Sequence, residues 1–230
     1  MKAAMKWLIV NGDDFGFTNG VNRGIIDAHR RGILTSTSLL VDRPACEAAI
    51  AVGREYPALS VGLHLELDPN VPERVIAEAE RQLAEFVERV DAAPTHLDSH
   101  HDVHYDPRIL PQLRRWAASI GVPLRGQSAA RHFPKFYGQW AGETHPEQIS
   151  VDGLLRLVDA EVGRGVTELT CHPGYVEPGF PSSYAAEREL ELRTLCDPRL
   201  RDALIERDIQ LIGFQDLPAL VRGAEAERAR

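Results

Sequence analysis

Four of the nine histidines and two aspartates lie within ten residues, Thr95-His96-Leu97-Asp98-Ser99-His100-His101-Asp102-Val103-His104. Taken as a strand running into a loop, the period of two sets His96, Asp98 and His100 on one face and Leu97, Ser99 and His101 on the other. Imidazole and carboxylate are ligands that hold a divalent ion while leaving it open to water. A solvated polar loop is the plainer alternative. Clustered imidazoles are costly without a partner, which favours a metal site.

Three other places add to this stretch. Asp13 and Asp14 are adjacent, and like charges close together raise one another's pKa. A division of labour resolves the conflict: one carboxylate ligates a metal and the other accepts the proton of an attacking water. An Asp and two His from different strands make a three-ligand site with an open position, for which hydrolysis is the natural reaction. His172, just before Pro173-Gly174, is placed to hand a proton to a leaving amine, or equally to be a satisfied loop residue. Cys171 beside it is discounted as a dyad partner, because consecutive strand residues face opposite ways.

The elements that must position these groups alternate along the chain. Trp7–Asn11 reads as a buried strand that ends at Gly12-Asp13-Asp14-Phe15-Gly16, followed by a helix over Asn19–Arg31. Ser36–Val41 and Ser60–Leu67 read as strands around a helix over Ala45–Glu55, with His64 near the end of the second. A helix over Pro72–Val90 has Val75, Ala79, Leu83, Phe86 and Val90 at core-facing spacing. The histidine stretch is then strand four, Pro107–Ile120 a helix, and Pro123-Leu124-Arg125 a short fifth strand. Gly126–Ser150 is the least regular part; its Phe133, Tyr137 and Trp140 read as substrate walls. A helix over Val151–Val162 leads to strand six, Glu168–His172. Helix over Tyr184–Arg207, broken near Asp197-Pro198, and a strand over Ile209–Phe214 complete the pattern.

About seven strands alternating with helices predict an α/β fold, a single-domain parallel (β/α) barrel like the eightfold one, over residues 1–222, with 223–230 a frayed tail. Asp13, Asp14, His64, His100 and His172 then meet at one mouth, at the C-terminal ends of strands one, three, four and six.

Composition limits the partners. With 230 residues, 43% hydrophobic and a formal charge of -8, the chain makes one sizeable core and lacks the basic face that nucleic acid or an anionic membrane needs. No apolar run reaches membrane-spanning length, and a cytoplasmic protein with a small-molecule ligand is expected. Three cysteines without CxxC spacing indicate neither a disulfide framework nor a cysteine zinc site.

Four blocks, in order, carry a family resemblance: Asn11-Gly12-Asp13-Asp14-Phe15-Gly16, Gly62-Leu63-His64-Leu65, Thr95–His101 and Cys171-His172-Pro173-Gly174. They resemble the signature blocks of the YdjC/ChbG-like carbohydrate deacetylases, over residues 7 to about 217. The resemblance implies a (β/α) barrel that removes an N-acetyl group from acetylated amino sugars such as chitobiose-type oligosaccharides. It further implies one divalent metal ion, zinc or magnesium with manganese, cobalt or nickel as substitutes, and a homodimer. Asp14, His64 and His100 become the metal ligands, Asp13 the general base and His172 the general acid, while Arg125 matches a family arginine near the site. Asp102 stands at the site rim where the family usually has a further His. Asp68-Pro69-Asn70-Val71 replaces a longer family segment, which makes the mouth more open and a larger acetylated substrate the expectation. The competing readings are a metal phosphoesterase on a similar barrel, whose first strand usually carries His-x-His, and a non-catalytic sugar- or metal-binding module.

Overall fold

The computed structural model describes residues 5–228. Strand β1, Lys6–Phe15, is the longest in the sheet and its centre. It is followed by α1 (Asn19–Arg31), β2 (Ser36–Leu39), α2 (Cys46–Gly53), β3 (Ser60–Leu65), α3 (Val75–Val90), β4 (Leu97–Ser99) and α4 (Leu110–Ile120). Then come β5 (Ala130–Phe133), a hairpin of β6 (Gln139–Trp140) and β7 (Glu143–Thr144), α5 (Val151–Glu161), β8 (Gly165–Cys171), α6 (Ala186–Leu195), α7 (Arg199–Glu206), β9 (Ile209–Leu211) and α8 (Leu217–Arg228). The expected frayed tail after Arg222 is, up to Arg228, the end of α8.

The sheet is wholly parallel, in the order β4-β3-β2-β1-β8-β5, with β9 also pairing with β1. It curls into a half-barrel and does not close, which corrects the expected complete barrel. Closure would need one continuous strand to bond both edges. The expected strand Pro123–Arg125 makes only a bridge from Leu124 to Leu97 of β4. The chain then turns, and β5, missed within the irregular segment, resumes against β8. Gly126 makes the turn at φ +66, and a Cβ there would overlap the Tyr105 ring and hydroxyl, so both the backbone and the space favour glycine.

Alternation sorts β1 between two environments. Leu8 and Val10 pack into the main apolar core with Val21 and Ile25 of α1. Ile9 faces the other way, into a small cluster with Ala130, Val166, Phe214 and Leu217 that plugs the bottom of the half-barrel. Polar groups stand above this plug on the same strand faces, namely Asn11 and Asp13 on β1, Glu168 and Thr170 on β8, and His132 on β5.

Candidate metal centre and catalytic cavity

Asp14, His64 and His100 converge at the mouth although they come from β1, β3 and the turn after β4. Asp14 Oδ1 lies 3.0 Å from His100 Nδ1 and 3.3 Å from His64 Nε2. All three potential ligand atoms fall within 4.8 Å of one another. Ligand atoms around a tetrahedral ion at about 2.0–2.1 Å are about 3.3 Å apart, so this set fits a divalent metal. His64 Nδ1 is 2.7 Å from Asp98 Oδ1, which turns Nε2 toward Asp14. Arg188 Nη2 donates to Asp14 Oδ2 at 2.5 Å, leaving Oδ1 as the oxygen that faces the imidazoles. Burial by itself would raise the Asp14 pKa, but Arg188 and the two imidazoles outweigh it and hold the carboxyl well below its usual range. Burial likewise opposes charge on His64, yet Asp98 and Asp14 raise its pKa well above the usual value.

Asp13 is the adjacent residue and sits in a different set of contacts. Asp14 takes a left-handed φ of +72, uncommon outside glycine, so the two carboxylates leave the strand in different directions. Asp13 receives both terminal nitrogens of Arg125, at 2.7 and 2.8 Å, and the Asn11 amide at 2.8 Å. The Arg125 side chain is fully buried and also bonds Asp98 at 2.6 Å and Glu168 at 2.7 Å. A second possible ligand set, Asp13, His64 and Asp98, meets the same distance criterion. There, however, two of the three ligands already hold a guanidinium, which would repel a cation. Burial would raise the Asp13 pKa, but Arg125 brings it below the ordinary value, so Asp13 is ionised at neutral pH. Glu168 is the opposite case, because burial prevails over Arg125 and lifts it to about 7.

A cavity of about 640 Å³ opens over these groups, and Asp13, Asp14, His64, His100, Asp102 and His172 all line it. His172 follows β8, and its backbone N–H donates to buried Glu191 at 2.5 Å. Burial lowers the His172 pKa to about 4, and its Nδ1 has no protein partner. Burial raises Glu191 to about 8, the His172 N–H and the Tyr184 hydroxyl offsetting only part of this. Cys171, as alternation requires, points into the apolar core, away from the site.

Of Phe133, Tyr137 and Trp140, Tyr137 alone lines the cavity, stacked on Tyr184 with ring centroids 4.5 Å apart. Phe133 is in register with Leu169 of β8, and both pack into the main core. Trp140 lies outside the cavity on the β6 hairpin, with one face against His145 at 3.5 Å. Arg125 is too deep to line the cavity and acts on Asp13 and Asp98 instead. Asp102 is at the rim, where burial lifts its pKa to about 6. Within the histidine stretch, His96 stacks on Phe214 at 3.9 Å, over Gly62, where any Cβ would overlap its ring. His104 bonds Ser99 Oγ at 2.7 Å and is also buried.

Phe17, Arg43 and Arg188 line the cavity and were not expected from sequence, whereas Phe136, which also lines it, belongs to the aromatic loop expected to wall the substrate. The Arg188 guanidinium sits over Phe180, Phe17 and Tyr184 at 5.4, 5.8 and 6.0 Å. Its one sequence-level signal is an arginine on a weakly amphipathic helix, which names no role.

The profile of the YdjC-like protein family matches residues 7–74 and 67–206 of this chain. A carbohydrate deacetylase from Geobacillus stearothermophilus is 33% identical, the alignment covering 92% of this chain and 98% of that one. A chitooligosaccharide deacetylase from Serratia marcescens is 32% identical over 92% and 99%. Among solved structures, an Enterococcus faecalis protein assigned provisionally to cellobiose-phosphate cleavage superposes with a TM-score of 0.80 at 28% identity, covering 93% of this chain and 99% of that one. A family 4 carbohydrate esterase from Streptomyces lividans shares the fold at a TM-score of 0.55 and 11% identity, over 91% and 93% of the two chains. The chain belongs to the YdjC-like family. The Geobacillus alignment spans 248 positions, more than the 230 residues here, so that relative carries residues this chain lacks. The two profile segments meet at residues 67–74, where the sequence has its short connection.

Proposed function

We propose that this protein is a metal-dependent hydrolase that removes the N-acetyl group from an acetylated amino sugar, releasing acetate and a free amine. The observation that carries the reading is the parting of Asp13 and Asp14, one with two histidines and the other on an arginine fork, beneath one cavity. Asp14, His64 and His100 would hold the ion. When bound there, a divalent metal supplies a Lewis acid that polarises the acetyl carbonyl and acidifies water.

The protein's own groups then move one proton around the reaction. Asp13, ionised and oriented by Arg125, takes the proton of the attacking water as its oxygen bonds to the carbonyl carbon. The C–N bond breaks, the acyl group leaves as acetate, and the amine nitrogen needs a proton. His172 is neutral at pH 7 and so collects that proton within the cycle before passing it to the nitrogen. Tyr137 offers its ring beside His172, at 5.9 Å between centroids, for a sugar face.

The substrate is inferred to be an N-acetylated sugar within a larger molecule, supported by the short connection at Asp68–Val71. The family resemblance supports a homodimer. Among the described residues no helix is long and apolar enough to cross a membrane. The test is acetate release from N-acetylglucosamine and its β-1,4-linked dimer, run beside phosphate release from a phosphate ester, with and without a chelator. Acetate release that the chelator abolishes is expected; phosphate release, or chelator-resistant turnover, rejects the reading.

A further inference from the structure

Thr170 is on the inner face of β8, two residues before His172 and in register with Asn11 of β1, and it lines the catalytic cavity. Among the described residues its hydroxyl has one partner, His132 Nε2 at 2.8 Å. Asn11 Oδ1 has no partner, so the Thr170 hydrogen is not spent on that neighbour. The other ring nitrogen of His132, Nδ1, lies 2.7 Å from the hydroxyl of Tyr105, an exposed side chain. Such a chain has two arrangements of its hydrogens, and donor strength chooses between them. Burial lowers the His132 pKa to about 4, so at pH 7 the ring is neutral, with one donor nitrogen and one acceptor. A phenol gives its hydrogen more readily than an aliphatic alcohol and accepts one less well. Tyr105 therefore donates to Nδ1, and the ring hydrogen stays on Nε2, which donates to Thr170 Oγ1. The Thr170 hydrogen is left for the cavity.

We propose that Thr170 is a specificity-determining residue, which donates its hydroxyl hydrogen to a hydroxyl oxygen of the sugar that carries the acetyl group, and that His132 and Tyr105 are the positioning residues that aim it. The assignment rests on the deacetylase reading for the sugar and adds which group reads it. The order of the sheet supplies the direction. Asp14, His64 and His100 come from β1, β3 and the turn after β4, so the acetyl carbonyl belongs on that half of the cavity. Thr170 and His132 come from β8 and β5, the other half. His172, which protonates the leaving nitrogen in this reading, directly follows β8 and lines the same cavity. The sugar carbon that bears the nitrogen is therefore beside β8, and the ring hydroxyls next to it face Thr170. Because Thr170 Oγ1 already accepts from His132, an acceptor oxygen suits it better than a further donor.

Two measurements test this. Nitrogen-15 chemical shifts of His132 at pH 7 report where its hydrogen sits: the Nε2–H form is expected, and the Nδ1–H form overturns the aiming of Thr170 whatever reaction the protein performs. Acetate release from N-acetylglucosamine is then compared in the wild type, in Thr170→Val, which keeps the shape and suits a strand but lacks the hydroxyl, and in Thr170→Ser, which restores it. Thr170→Val is expected to lower kcat/KM about tenfold or more, chiefly through KM, at unchanged metal content, while Thr170→Ser stays within about threefold of the wild type. An unchanged kcat/KM in Thr170→Val overturns the contact, and so does a loss that Thr170→Ser does not recover. A wild type that releases no acetate rejects the deacetylase reading, and calorimetric binding of the same sugar then decides the contact. Binding that is tenfold weaker in Thr170→Val upholds it; equal Kd values, or no binding to the wild type, overturn it. Should Thr170→Val fail to fold by circular dichroism, Thr170→Ala replaces it with the same criteria.

Discussion

Two charged clusters lie one above the other in the half-barrel, built from the same residue types and, at Asp13 and Asp14, from adjacent positions. In the lower cluster the fork of Arg125 joins Asp13 and Asp98, and its Nε donates to Glu168 Oε1, leaving Glu168 Oε2 without a partner. In the upper one, Asp14 Oδ1 faces two imidazole nitrogens that make good ligands, and the cavity opens above them. A cation in the lower cluster would compete with the permanent guanidinium of Arg125, whereas the guanidinium of the upper cluster, Arg188, is turned to the far oxygen of Asp14. The difference is that two neighbouring carboxylates hold different guanidinium groups, Asp13 that of Arg125 and Asp14 that of Arg188.

The sharpest way to break that comparison is to treat the two aspartates separately. Asp14→Ala should strip the ion and abolish turnover, as should His64→Ala or His100→Ala. Asp13→Asn should keep the ion while activity falls by about 10²–10⁴, since the amide is nearly isosteric but takes no proton. Metal content by elemental analysis, set beside acetate release, checks both, and full occupancy in His100→Ala would reject the ligand set.

A second substitution tests whether the lower cluster is chiefly structural support. Arg125→Met leaves Asp13, Asp98 and Glu168 buried without their cation, and losing one partner of such a set costs about 3–5 kcal/mol. Urea unfolding should show a loss of that size; a change below about 1 kcal/mol would mean that water reaches the carboxylates.

The smallest effect is a slope with pH. Burial lowers His96, His132 and His172 to about 4 and His104 to about 3. At these four groups the unfolded chain, with ordinary histidines near 6.5, binds more protons between those values and 6.5, so they lower stability on acidification through that window, while Glu168, Glu191 and Asp102, raised to about 7, 8 and 6, act in the opposite sense. His64, raised instead, works against this, its contribution being present below the ordinary value and lost as pH rises through the folded one. Denaturation midpoints at pH 5 and pH 7 measure the balance, and His104→Asn should flatten the slope; an unchanged slope in that variant would remove His104 from the account.

Much of the site could be read from residue order. The period of two in Thr95–His104 does set His96, Asp98 and His100 on one inward side, and the ends of β1, β3, β4 and β8 do meet. Periodicity placed α1 at its observed bounds, because Thr18 caps it and accepts the Val21 N–H at 3.2 Å. It could not say that those three inward positions lie at different depths, His96 on the apolar plug, Asp98 on Arg125 and His100 at the mouth.

Sequence alone determined the repeating strand–helix units and the types of group at their ends, since alternation and capping are local properties of the chain. Only tertiary structure decided which group does what. Arg125 and Arg188 reach the neighbouring carboxylates Asp13 and Asp14 from 112 and 174 residues away, and no local pattern reports such a distance. The break of the barrel at Gly126 was equally hidden, because closing a sheet depends on both edges meeting one strand, and Leu124 and β5 each satisfy only one of them.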